Sequence, residues 1–224
     1  MTALVTALYA EGRSDERFLP RIIQRAAVDL LSRRGRRVVD VLEPTLLTPD
    51  EKQSRAEDIL AVARKASGYH ALFIHADADA PTPDRAYTER IEPGVMRVRS
   101  ARTSGAAVCA DLIPVIPIQA TEAWLLADAD ALRAVIGTNA RSADLGIPLV
   151  PHEIEGLANP KQRLSEIVRR AMAVRPRRRR NLDIGELYEP LADRIHLAQL
   201  ERLPAYQQFS DDLARTLASL GFFA

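Results

Sequence analysis

Cysteine is nearly absent from this chain of 224 residues: Cys109 is the single thiol, which excludes an internal disulfide and a cysteine-built zinc site. Lysine is scarce as well, with Lys52, Lys65 and Lys161 the three lysines among 31 basic residues. In an alanine-rich chain of this kind, as GC-rich coding favours, arginine is the default cation, and arginine counts alone say little about nucleic acid. Aromatic residues make up 5%, too few to lay out a stacking surface for base readout. No apolar run approaches the roughly 18 residues that cross a bilayer. The N-terminal MTALVTALYAEG has neither the basic start nor the cleavage site of a signal peptide. A cytoplasmic protein without membrane contact is the expectation. A net charge of +1 also excludes a global polycation.

Hydrophobic residues at 47% support a real core, and charged residues at 27% are ordinary. The charge is unevenly placed. Residues 160–180 carry nine basic side chains against one acid, whereas residues 181–224 carry seven acids against three arginines. The run Arg177 to Arg180 reads first as a solvated linker and second as a phosphate-binding patch.

Apolar patterning alternates along the first half. Residues 3–10 (ALVTALYA) read as a buried strand closed by Glu11-Gly12. Residues 15–34 place Leu19, Ile22, Ile23, Ala26, Ala27, Leu30 and Leu31 on one helix face, stopped by Gly35. A strand over 37–43, a helix over 50–66 and a strand over 69–76 follow, the last running into Asp77-Ala78-Asp79. A proline-marked stretch with a helix fills 81–107. Residues 111–118 read as an edge strand because of Pro114 and Pro117, and a helix spans 120–135. The order predicts an α/β fold, a mostly parallel sheet with helices on both faces, over residues 1–136. Residues 137–224 are expected to form a helical extension packed on it, with helices over 160–173, 183–193 and 196–220.

Ligands of open parallel sheets gather at the carboxyl ends of strands. Glu11 ends one strand there; Asp77 and Asp79 end another, spaced by two so that both point to one face. Clustered carboxylates repel, and a hard divalent cation, Mg²⁺ or Mn²⁺, removes that cost. Glu122 lies on the first turn of the helix after the fourth strand, at the same rim, and is the candidate further ligand; its plain alternative is an acid complementing the helix dipole. Asp15 reads as a capping residue before a ligand, and His75 as a packed core histidine before a supporting group. Trp124, Leu125 and Leu126 read as core. Lys161 begins a helix, where a cation opposes the dipole, so contact with phosphate or with the acids competes with simple solvation.

The segments YAEGRSDERFLPRII, HADAD, IPIQATEAWLLAD and NPKQRL resemble the Toprim domain, and within it a bacterial Toprim-like family encoded beside ATPases in defence loci, related to overcoming-lysogenization-defect nucleases. The resemblance covers residues 3–136 and touches Asn159 to Leu164. It implies that Glu11 serves as metal ligand or general acid/base and that Asp77 and Asp79 bind the metal. The leading expectation is metal-dependent phosphoryl transfer on nucleic acid, with Glu11 catalytic and Glu11, Asp77 and Asp79 around the metal as the resemblance implies, joined by Glu122 as a further ligand and Lys161 as a catalytic residue from their own helix-start positions. An ATPase partner and a role in phage defence belong to the same expectation. Ala80-Pro81 follows Asp79 directly, so a second metal needs a ligand from elsewhere. Two other classes stay open: a non-catalytic or toxin-like partner subunit, and a nucleotide-sugar transferase holding its metal on a D-x-D, in which Glu11-Gly12 has no task. A haloacid-dehalogenase-type phosphatase is disfavoured, since its D-x-D follows the first strand.

Overall fold

The first apolar run forms two short strands rather than one, β1 (Thr2–Leu4) and β2 (Thr6–Tyr9). A computed structural model describes residues 2–173 and 182–223, so the Arg177–Arg180 run lies outside the described residues. The break falls at Val5, whose N–H and C=O are taken by His70 instead of a ladder neighbour (3.1 and 2.9 Å). The strand expected over 37–43 is the shorter β3 (Val39–Val41), and a further strand not expected, β4 (Thr45–Leu46), follows it, with Pro44, which lacks an N–H, between them. β1 pairs with β3, while the main sheet runs β4-β2-β5-β6, with β5 Ala71–His75 and β6 Leu112–Val115, all parallel. β6 is the edge strand, as its Pro114 requires.

Helices cover both faces, and the alternation along each strand decides which. Leu8, Phe73, Ile113 and Val115 face α1 (Arg13–Arg34), while Ala7, Tyr9, Leu72 and Ile74 face α2 (Arg55–Lys65) and α4 (Glu92–Thr103). α2 starts later than its apolar pattern suggests, because Ser54 caps it by accepting the Glu57 N–H. Between β5 and α4 run a short α3 (Asp84–Ala86) and a π-helical turn, Tyr87–Ile91.

The helix expected over 120–135 is two helices, α5 (Glu122–Leu125) and α6 (Ala129–Ile136). Asp128 separates them, its side chain accepting the N–H groups of Asp130 and Ala131 and so starting a new helix. Beyond it lie α7 (Ser142–Leu145), α8 (Pro151–Glu155), α9 (Pro160–Ala173), α10 (Tyr188–Arg194), α11 (Leu197–Leu200) and α12 (Pro204–Ser219). Their apolar faces join the α1 side of the sheet in one continuous core. Trp124, Leu125 and Leu126 are fully buried in it, as expected, with Trp124 against Tyr206 and Phe209. No helix among the described residues is long and apolar enough to cross a membrane.

Candidate metal centre

The strand order reverses at β2. From there the chain goes out through α1 to β3 and β4, then returns past β2 to β5. The crevice at such a switch point opens between the carboxyl ends of the two central strands. Glu11 follows β2 and Asp77 follows β5, so the two acids flank it, and Glu11 Oε2 accepts the Asp77 N–H at 3.2 Å.

His75, fully buried at the last position of β5, ties the rim together. Its Nδ1 accepts the Glu11 backbone N–H at 3.3 Å. In the neutral ring this leaves the proton on Nε2, which lies 3.2 Å from Thr121 Oγ1 and 3.3 Å from Asp77 Oδ1. Asp77 Oδ1 also accepts the Thr121 N–H at 2.9 Å. His75 is therefore packed and polar at once. Asp15 completes the group: ligand atoms of Asp15, His75 and Asp77 all lie within 4.8 Å of one another. Gly12 makes room for it, since a Cβ there would sit 3.0 Å from Asp15 Oδ2.

Asp15 and Glu122 are both buried, at 6% and 5% exposure, and among the described residues neither pairs with a lysine or arginine. Burial pushes the Asp15 carboxyl up; the His75 ring and the Thr121 hydroxyl oppose the shift, and the charges of Asp77 and Glu122 add to it. Glu122 accepts the Tyr188 hydroxyl at 2.5 Å, and burial together with that carboxylate raises the tyrosine. Asp15, Asp77, Asp79, Glu122, Asn159 and Lys161 line a cleft of about 310 Å³. Lys161 enters from the start of α9, exposed, where Asn159 caps the helix by accepting the Gln162 N–H.

Glu11 and Asp79 stand at the same rim but meet through a guanidinium. Arg90 reaches Glu11 Oε2 at 3.3 Å, Asp79 Oδ2 at 2.7 Å and the Asp77 carbonyl at 2.9 Å. Asp79 (φ 49°) and Gln119 (φ 61°) are both left-handed. Asp79 N–H donates to the Gln119 carbonyl and Gln119 N–H to the Ala80 carbonyl, so strained backbone is held at the mouth of the site. Glu11, Asp77, Asp79, Glu122 and Lys161 are thus brought to one rim. Arg90 carries no mark in the sequence, and Asp15 resembles any first-turn acid.

A family model described as "Domain of unknown function (DUF4276)" matches residues 10–214, most of the chain. The chain belongs to the DUF4276 family. Comparison with curated proteins and comparison with solved structures give no match. In this DUF4276 chain the donors at the cleft are chiefly carboxylate oxygens, with the His75 ring beside them, and two of the carboxylates are buried with no lysine or arginine partner among the described residues. That set fits a hard divalent cation, which would return the lost electrostatic stabilisation.

Proposed function

We propose that this DUF4276 protein is a Toprim-type, Mg²⁺- or Mn²⁺-dependent phosphoryl-transfer enzyme acting on nucleic acid, most simply a phosphodiesterase. One observation carries the reading: Asp15 and Glu122 are buried carboxylates with no lysine or arginine partner among the described residues, beside Asp77 at the switch point of a parallel sheet. Asp77, Asp79, Glu122 and Glu11 would hold the cation, with Asp15 beside them. When bound, the cation supplies charge stabilisation at the scissile phosphate and a water of lowered pKa. Glu11 would accept the proton of the attacking water as its oxygen bonds the phosphorus and the phosphorus–leaving-oxygen bond breaks, the leaving oxygen taking a proton from solvent. His75 fixes the Asp77 carboxylate by its Nε2 proton, and Lys161, which lines the same cleft, would neutralise a non-bridging oxygen. Of the α9 cations Lys161 stands at the cleft and is suited to a phosphate there, whereas Arg163 pairs with Glu166 and Arg170 with the Leu145 carbonyl on the other side of the helix. The resemblance to defence-locus proteins adds an ATPase partner and a role in phage defence to the proposal.

The test is cleavage of single- and double-stranded DNA and RNA with Mg²⁺ or Mn²⁺, run with and without an ATPase partner protein. Asp77→Asn should lower the rate by orders of magnitude, because metal-borne charge stabilisation is large and each ~1.4 kcal/mol is tenfold. It should also shrink the melting shift that Mn²⁺ produces. Folded wild type that shows neither cleavage nor metal-dependent stabilisation sinks the reading, and the non-catalytic partner subunit then leads.

A further inference from the structure

Among the described residues Arg90 is the one lysine or arginine paired with Glu11 and Asp79, and it has no part in the chemistry proposed for them. Its guanidinium spans Glu11 Oε2, Asp79 Oδ2 and the Asp77 carbonyl, three oxygens on three residues. Those are the hard donors a divalent cation would seek, already gathered around one positive charge. The placement comes from the π-helical turn Tyr87–Ile91, a wider turn than its α-helical neighbours, and such turns mark functional sites. The backbone beneath is pinned: α4 continues from the turn and packs against α2 with Gly94 directly over Ile59. The side chain is what can move. It is 34% exposed, and its carboxylate partners are 41% and 64% exposed, so the pairs are weak enough to exchange.

We propose that Arg90 is an internal counter-cation that occupies the cation position between Glu11 and Asp79, so that a divalent metal binds there only by displacing it. This deepens the metal reading above and rests on it. A metal and a guanidinium cannot share the position, since like charges at that separation repel. Metal affinity in the free protein is therefore reduced by the stability of the Arg90 contacts.

The experiment is a Mn²⁺ titration of the full chain, following free Mn²⁺ by electron paramagnetic resonance, with melting curves to establish that each variant is folded. Arg90→Gln removes the competitor and should bind Mn²⁺ about three- to thirtyfold more tightly, the range two exposed ion pairs allow. Arg85→Ala removes an equal charge one turn away, paired with Glu89 and not with the acids, and should leave the affinity within about twofold. Equal or weaker binding by Arg90→Gln overturns the inference. So does equal tightening by Arg85→Ala, which would make the effect one of overall charge. If wild type and Arg90→Gln bind alike while Asp77→Asn loses binding, Arg90 fails and the metal reading stands. If none of the variants takes up Mn²⁺, both fall together.

Discussion

Asp128 holds two parts of the chain with one carboxylate. One oxygen caps α6, and the other accepts both the His196 N–H at 3.0 Å and the His196 ring at 2.7 Å, joining the α/β half to the C-terminal helices. Burial alone would push this carboxyl up. The N–H groups of Ala131 and His196, and then the His196 ring, outweigh burial and hold it below its ordinary value. A depressed folded-state pKa contributes stability that is present above the unfolded value, about 4, and lost as pH falls through the folded one. Asp128→Ala should therefore cost roughly 1–3 kcal/mol at neutral pH, from the cap and the stranded donors. In urea melts the gap from wild type should close below about pH 4; a gap that stays constant down to acid would reject this assignment. His75 works on the same scale, orienting Glu11 through its backbone and Asp77 through its side chain.

At the scale of elements, the α2–α4 contact sets where the π-helical turn, and hence Arg90, can stand. A Cβ at Gly94 would lie 2.6 to 2.8 Å from three carbons of Ile59, a residue with no exposure. Gly94→Ala gains about 1 kcal/mol of helix propensity but meets overpacking of about 1–3 kcal/mol, so a net loss of up to about 2 kcal/mol is expected. The partner change Ile59→Val should recover part of it, and the pair should be non-additive in a double-mutant cycle. Strictly additive losses would show that the two side chains do not meet.

Over the whole molecule, one core runs across residue 136. Phe73 of the sheet and Trp124 of α5 pack against Phe209, and Trp124 against Tyr206, both from α12. Arg25 of α1 donates to the Ala192 and Ile195 carbonyls at the end of α10. At the far end, Phe223 forms a bridge with Gly35 and lies under the Arg34 guanidinium. A fragment of residues 1–136 would expose Trp124 and much of the α1 side of the sheet. It should keep far-ultraviolet helix signal, lose the near-ultraviolet signal of fixed aromatics and bind a hydrophobic dye. A fragment with wild-type near-ultraviolet dichroism would show that the helical extension is dispensable to folding.

The amino-acid sequence alone determined the alternating elements of the first half and the acids at their ends, because a strand's burial and its terminal Glu11, Asp77 and Asp79 are local patterns along the chain. It also marked β6 as an edge strand through Pro114, since a missing N–H is a local fact. The helix over 120–135 went astray because apolar spacing continues through Asp128, and only the His196 contact from 68 residues away makes the second role of that carboxylate visible. Asp15 and His75 look like a cap and a core histidine until β2 and β5 lie side by side and bring their ligand atoms within 4.8 Å of Asp77. Arg90 meets the acids through a π-helical turn that no spacing announces. Which residues carry charge was decided locally; which charges face one another was decided by strand order and helix packing.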